Sequence, residues 1–247
     1  MDQEQFKDKT AIVTGAGSGI GRELVHRLTK LGTHVIAISQ TAEKLEALKA
    51  ELGDLIEILP IDLGSWDETE LKMEPLLNRK IDYLINNAAY SACSPLEEIQ
   101  KDKTDKTFDI NVKGPINMTK LVAVGMKDRK SGTIVNVSSV ASLAAIQDHI
   151  TYAASKAALD MVTKCAAVEL APFNVRVNSV NPTVVWTEMG KRHWGDPEKK
   201  KLILSKIPMA RFVEINEVIE PILFLLGKES AMITGITMAI DGGYSAM

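Results

Sequence analysis

The sequence predicts an α/β fold, a doubly wound parallel sheet with helices on both faces, built as a single domain over 1–247. Three observations carry this. Short β-branched runs alternate with segments of helical period from end to end. The runs are apolar throughout, as strands covered on two sides must be. No internal repeat, low-complexity tract or Pro/Gly/Ser-rich linker divides the chain. A core of this size buries roughly three quarters of the surface an unfolded chain exposes and needs no staple.

The elements follow in order. Residues 11–14 are the first strand and run into a glycine-rich turn. A helix over 20–31 comes next, with Leu24, Val25, Leu28 and Leu31 at helical spacing. Then come a strand at 35–39, a helix near 42–52, a strand at 56–61 and a polar helix near 67–78. The run 81–85 is a fourth strand, and one long helix is predicted over about 104–127. A strand at 134–137, a helix over 152–170 and a strand at 175–180 continue the alternation. The tail holds a helix near 217–226 and a last strand at 236–240, closed by Asp241-Gly-Gly243. The one composition shift, 183–208, is rich in Lys, Trp, Met and Gly. It lies at the strand ends where doubly wound sheets bind ligands, as a substrate flap or a plain surface insertion.

Composition narrows the function classes. Lys plus Arg is 29 and Asp plus Glu 32, a net charge of −3, without the basic excess of a nucleic-acid binder. The opening MDQEQFKDKT is too charged for a signal peptide, and no apolar run approaches a transmembrane segment. Two cysteines, Cys93 and Cys165, have no metal-like spacing and suggest a reducing, cytoplasmic setting. Four scattered histidines give no metal site either; His26 and His34 read as surface residues.

Thr14-Gly-Ala-Gly-Ser-Gly-Ile-Gly21 stands between the first strand and the first helix. Glycines there let the backbone approach a pyrophosphate, while the helix N-terminus supplies N–H donors. The spacing fits TGxxxGxG, with Gly15, Gly19 and Gly21 in the three glycine roles. The second strand ends in Ser39-Gln40-Thr41, with neither the acid that favours NAD nor the Arg that favours NADP. Absence of an acid removes repulsion of a 2′-phosphate, which two hydroxyls and an amide can bind, with Lys44 nearby. NADPH is the expected cofactor and NADH the alternative. Asp62 after the third strand either accepts from an adenine amino group or caps a turn.

At the reacting end, Tyr152-Ala-Ala-Ser-Lys156 puts two groups one helical turn apart on one face. A phenol with a pKa near ~10 is a poor proton relay at neutral pH, and a nearby ammonium favours its phenolate. Ser139, at the end of a strand, can hydrogen-bond a substrate carbonyl or cap the strand end. Asn111 sits among core residues, so its amide must be satisfied, by backbone at a helix kink or by water leading to Lys156. Together these four describe an acid, an activator, an orienter and a relay.

In this order, with Asn86-Asn87-Ala88-Ala89 and Asn181-Pro182, the residues resemble the short-chain dehydrogenase/reductase family along the whole chain. The resemblance implies a Rossmann-type sheet of about seven strands, hydride transfer from a nicotinamide and a homotetramer with contacts along 111–126 and 152–170. It implies that Asn111, Ser139, Tyr152 and Lys156 are catalytic. It also places the dinucleotide against Ser18, Ile20, Leu63, Asn87, Ala88, Pro182, Val185 and Thr187, besides Tyr152 and Lys156. Asn86 to Ala88 would support the central strand and the adenosine ribose, and the Val185 backbone the carboxamide.

Within that family, Val180-Asn-Pro-Thr-Val-Val185 and His193-Trp-Gly-Asp-Pro197 are most similar to the L-xylulose (dicarbonyl) reductase group. That likeness implies reduction of L-xylulose to xylitol and of diacetyl-type α-dicarbonyls, with His149 and Trp194 contacting substrate. His149 alternatively caps its helix or faces solvent, and Trp194 alternatively makes a subunit contact. Three positions depart from the group: Gln40 for Arg, Ser18 for Lys and Val140 for Gln. The first two bear on NADPH preference; the third makes a less polar carbonyl substrate plausible. A 3-oxoacyl or steroid reductase and a silent nucleotide-binding scaffold are the rival readings.

Overall fold

Strand β1 (Thr10–Thr14) sends Ala11 and Val13 into one apolar layer and Ile12 into the other. That two-sided burial is why the strand reads as a continuous apolar run. The same holds for β2 (His34–Ser39), β4 (Tyr83–Asn86), β5 (Gly132–Val137) and β6 (Val175–Pro182), while β3 (Ile56–Pro60) and β7 (Thr237–Ile240) edge the sheet. In the computed structural model, which describes residues 3–246, these seven strands form one parallel sheet of order β3-β2-β1-β4-β5-β6-β7. The order reverses between β1 and β4, which opens a crevice beyond their carboxyl ends.

Helices α1 (Gly19–Lys30), α2 (Ala42–Leu52) and α9 (Ile215–Leu226) cover one face, where Leu24, Leu28, Leu48, Ile222 and Leu225 meet Val13, Val35 and Val135. Helices α3 (Trp66–Met73), α5 (Gly114–Arg129) and α6 (Ile150–Leu170) cover the other, with Met73, Met118, Val122 and Leu170 against Ile12, Leu84, Ile134 and Val177. Phe6, fully buried, seals the lower edge against Tyr83 at 5.9 Å between ring centroids. Replacing Phe6 with Ala is expected to cost about 3–5 kcal/mol in chemical denaturation, because the cavity cannot collapse between strand and helix.

Three elements depart from the sequence reading. The long helix predicted over 104–127 is α4 (Lys101–Phe108), a π-turn (Asp109–Lys113) and α5. Pro115 has no N–H for the carbonyl of Asn111, and its ring crowds that carbonyl, so the ladder widens there. The polar helix ends at Met73 and tightens into a 3-10 turn (Glu74–Leu76) at Pro75. The segment 183–208 carries two short helices, α7 (Glu188–Trp194) and α8 (Pro197–Leu204), capped by the Thr187 and Asp196 side chains. Ile203 of α8, with Ile207 just beyond it, packs on Val140 and Tyr244 and anchors the segment over the crevice.

Candidate active site

The crevice is a cleft of about 400 Å³ running from the end of β2 to α7. It is lined by Gly15, Ser18, Gly19, Ile20, Ser39, Gln40, Thr41, Asp62, Leu63, Asn87, Ala88, Ser139, His149, Tyr152, Lys156, Pro182, Val185, Thr187 and Trp194. Gly21 and Asn111 stand behind its wall and act through what they hold.

The glycine turn is shaped by Thr14, whose hydroxyl accepts from the backbone N–H of Asn87 (2.9 Å) and Ala88 (3.0 Å). The Asn87 amide donates to the carbonyls of Thr14 (2.9 Å) and Gly15 (3.3 Å). Gly15 lies in the left-handed region at φ +65°, where a side chain would be strained. At Gly21 a Cβ would lie 2.3 Å from the Gly15 carbonyl oxygen and 2.5 Å from Asn87 Nδ2. This glycine therefore sets how closely α1 approaches the turn. Ser18 is the N-cap of α1 and its side chain makes no capping hydrogen bond, so the first-turn N–H groups are free for an anion.

At the β2 end, Gln40 Nε2 donates to Asp62 Oδ2 (3.0 Å), while Asp62 Oδ1 accepts from the Gly64 N–H (2.9 Å). Asp62 thus makes the turn-capping contact and still faces the cleft. Lys44 pairs across the cleft mouth with Glu188 of α7 at 3.2 Å.

Tyr152 and Lys156 lie one turn apart on α6, with Lys156 Nζ 5.7 Å from the phenol ring centre. Lys156 donates to the Val137 carbonyl at the end of β5 (2.8 Å). Ser139 caps the short turn after β5, accepting from the Ala141 N–H (3.2 Å). Electrostatics here differ from the sequence expectation. Burial pushes the Tyr152 phenol up to about 12, opposed by the Ser139 hydroxyl, the reverse of the lowering that a lysine one turn away implies. Burial also pulls the Lys156 ammonium down to about 8, opposed by Asp160.

Asn111 takes the first of its two predicted solutions. In the π-turn its Oδ1 accepts from the Tyr90 N–H (2.8 Å), and its Nδ2 donates to the Tyr90 carbonyl (2.9 Å) and to Ser155 Oγ (3.0 Å). It clamps the loop after β4 to α6, beside Lys156.

His149 neither faces solvent nor caps α6 with its ring. It is 9% exposed and stacks on Trp194 at 5.6 Å and 15°, edge-on to Tyr152 at 6.5 Å. Its Nδ1 lies 2.6 Å from the Gln147 carbonyl, which fixes that nitrogen as the N–H and leaves Nε2 an acceptor. Burial lowers its pKa and holds the ring neutral. The sequence reading missed His193, which packs on His149 at 6.2 Å and lines the cleft with a buried, unpaired Nε2. Only its neighbour Trp194 hinted at it.

A sequence profile of the short chain dehydrogenase family matches residues 9–198. The chain belongs to that family. Among short-chain dehydrogenases, it is 44% identical over 237 residues to the L-xylulose reductase of Mesocricetus auratus, covering 96% of each chain. It is 42% identical to the D-erythrulose reductase of Gallus gallus, covering 97% of this chain and 96% of that one. An NAD+-bound xylitol dehydrogenase structure superposes with a TM-score of 0.91 at 30% identity, covering 97% of this chain and all of that one. This short-chain dehydrogenase is accordingly an NAD(P)-dependent oxidoreductase that acts on alcohol or carbonyl groups of small molecules. Among the described residues no helix is long and apolar enough to cross a membrane.

Proposed function

We propose that the chain reduces small ketones, ketoses and α-dicarbonyls, of the L-xylulose and diacetyl type, with NADPH, Tyr152 serving as general acid. One observation carries this reading: Ser139, Tyr152 and Lys156 converge at one end of a cleft whose other end is the glycine turn of α1. The free N–H groups behind Ser18 and the close approach permitted at Gly15 and Gly21 fit a pyrophosphate. When bound, the nicotinamide supplies hydride to the substrate carbon. Ser139 and Tyr152 donate hydrogen bonds to the carbonyl oxygen, where negative charge develops. Tyr152 Oη then gives up its proton, and Lys156 passes one back to it from solvent water, while Asn111 holds the loop wall beside the lysine. A phenol pushed to about 12 stays protonated across the working pH range, as an acid must.

The substrate end pairs polar and apolar walls. His149 Nε2 offers an acceptor to a substrate hydroxyl, and Trp194 a flat apolar face. Val140 packs with Ile203 and Ile207, so the wall beside Ser139 favours compact, less polar carbonyls over polyhydroxylated ones. Residues 183–208 are the substrate flap in this reading. Exposed Val124, Met161 and Val168 on α5 and α6 suit the subunit contacts of a homotetramer, and two free thiols suit the cytoplasm.

The preference for NADPH rests on the end of β2, where Ser39, Gln40 and Thr41 supply donors and the strand end itself carries no acid, the nearby Asp62 carboxylate being held by Gln40 at 3.0 Å. A panel of ketoses, α-diketones, 3-oxoacyl thioesters and sterols, run with NADPH and NADH in parallel, tests the whole reading. Turnover of the first two classes with NADPH is expected. Activity confined to thioesters or sterols, or none at all, overturns the substrate assignment, and faster turnover with NADH overturns the coenzyme assignment. Gln40→Arg is expected to raise the NADPH over NADH ratio of kcat/KM about tenfold, the worth of one charge-assisted hydrogen bond.

A further inference from the structure

We propose that Asp160 is a positioning residue for the reacting end: its buried carboxylate braces the turn carrying Ser139 and sets a negative charge one helical turn behind Lys156. The inference rests on the roles given above to Tyr152 and Lys156 and goes beyond them, since Asp160 does not line the cleft.

Asp160 is 6% exposed on the inner face of α6. Its Oδ1 accepts from Ser179 Oγ (3.0 Å) and its Oδ2 from Asn181 Nδ2 (2.7 Å), both on β6. Asn181, itself fully buried, gives its other N–H to Ser142 Oγ (2.8 Å), shared with the Ser139 carbonyl (3.3 Å). Ser142 Oγ donates to that same carbonyl at 2.6 Å. One carboxylate therefore fixes, through a single amide, the backbone from which the Ser139 hydroxyl projects.

The donors to Asp160 are neutral, and a buried carboxylate with neutral partners alone is costly. The charge that answers it is Lys156, buried four residues earlier on the same helix and in no ion pair among the described residues. Of the groups facing Lys156, the titratable ones are Tyr152 on its own helix and Asp160. Beyond the phenol stand Cys93 of the loop after β4, His149 at the start of α6 and His193 on α7. The charged residues of the π-turn, Asp109 and Lys113, pair with each other (2.7 Å), Arg176 of β6 donates to the Leu225 carbonyl (2.8 Å), and β5 carries no charged side chain. Burial favours the uncharged lysine and Asp160 opposes it, so Asp160 keeps the ammonium charged to higher pH. As pH rises through the lysine's titration the cation that recharges Tyr152 is lost, and reduction slows.

Asp160→Asn removes the charge and keeps the shape: its Oδ1 can accept from Asn181 Nδ2 while its Nδ2 donates to Ser179 Oγ, whose hydroxyl then turns to Asn181 Oδ1, 3.1 Å away. Three quantities are to be measured: the pH profile of kcat for carbonyl reduction, the Lys156 titration by ¹³Cε-lysine NMR in dinucleotide-free protein, and the melting temperature. The alkaline limb and the Lys156 titration are both expected to move down by about one pH unit or more. Turnover above pH ~8 then falls about tenfold, while turnover near pH ~6 stays within about threefold. A uniform loss at every pH, with an unmoved Lys156 titration, makes Asp160 merely structural and overturns the proposal. If the asparagine variant folds poorly, Asp160→Ser gives the same readouts. Failure of the underlying reading is separately visible, as retained turnover in Tyr152→Phe whatever Asp160 does.

Discussion

Tyr152→Phe is expected to lower carbonyl reduction by at least ~100-fold while leaving dinucleotide affinity within about threefold. The hydroxyl is held protonated by burial, with Ser139 beside it, so its removal leaves the developing oxyanion without the phenol's hydrogen bond and its proton. Ring packing survives, because the phenol rests edge-on to His149 through its carbons. Steady-state kinetics with a small α-diketone and fluorescence titration of the dinucleotide separate the two effects. Near-wild-type turnover would remove Tyr152 from the acid's role.

Gly21→Ala is the second large effect, and it acts at the opposite end of the cleft. Its new methyl would lie 2.3 Å from the Gly15 carbonyl oxygen and 2.5 Å from Asn87 Nδ2. Both are pinned, Asn87 by two carbonyls and the turn by Thr14. Helix α1 must therefore move outward and carry its free N–H groups away from the phosphates. Dinucleotide affinity is expected to weaken at least ~30-fold, with a stability loss of about 1–3 kcal/mol from overpacking. Calorimetric titration and thermal melting read these separately. A melted protein would show in the second, and unchanged affinity in a folded variant would mean that the turn cradles nothing.

What was legible in the sequence follows how local each signal is. Strands buried on both faces leave unbroken apolar runs, so their alternation with helices could be read directly, and the TGxxxGxG turn and the Tyr152/Lys156 pair lie within a few residues. The π-turn at Asn111 was half legible: a buried amide offered a kink as one of two solutions, while Pro115, which causes it, shows its effect four residues upstream of itself. His193, the Gln40–Asp62 contact and the Asp160–Asn181–Ser139 chain join residues that only the sheet brings together. The direction of the Tyr152 shift was also beyond reach, since spacing reports that a lysine is near and says nothing of how dry the site is.

The widened turn at 109–113 has a consequence for chain length. Deleting one residue there would restore regular winding and strengthen the segment as an isolated helix. The same deletion would leave α5 close to its present phase, because the wide turn is what absorbs the extra residue, but it would move the carboxamide of residue 111 off Tyr90. A local gain in regularity would thus come with a loosened wall beside the proton relay, so this segment tolerates side-chain replacement more readily than a change in the number of residues.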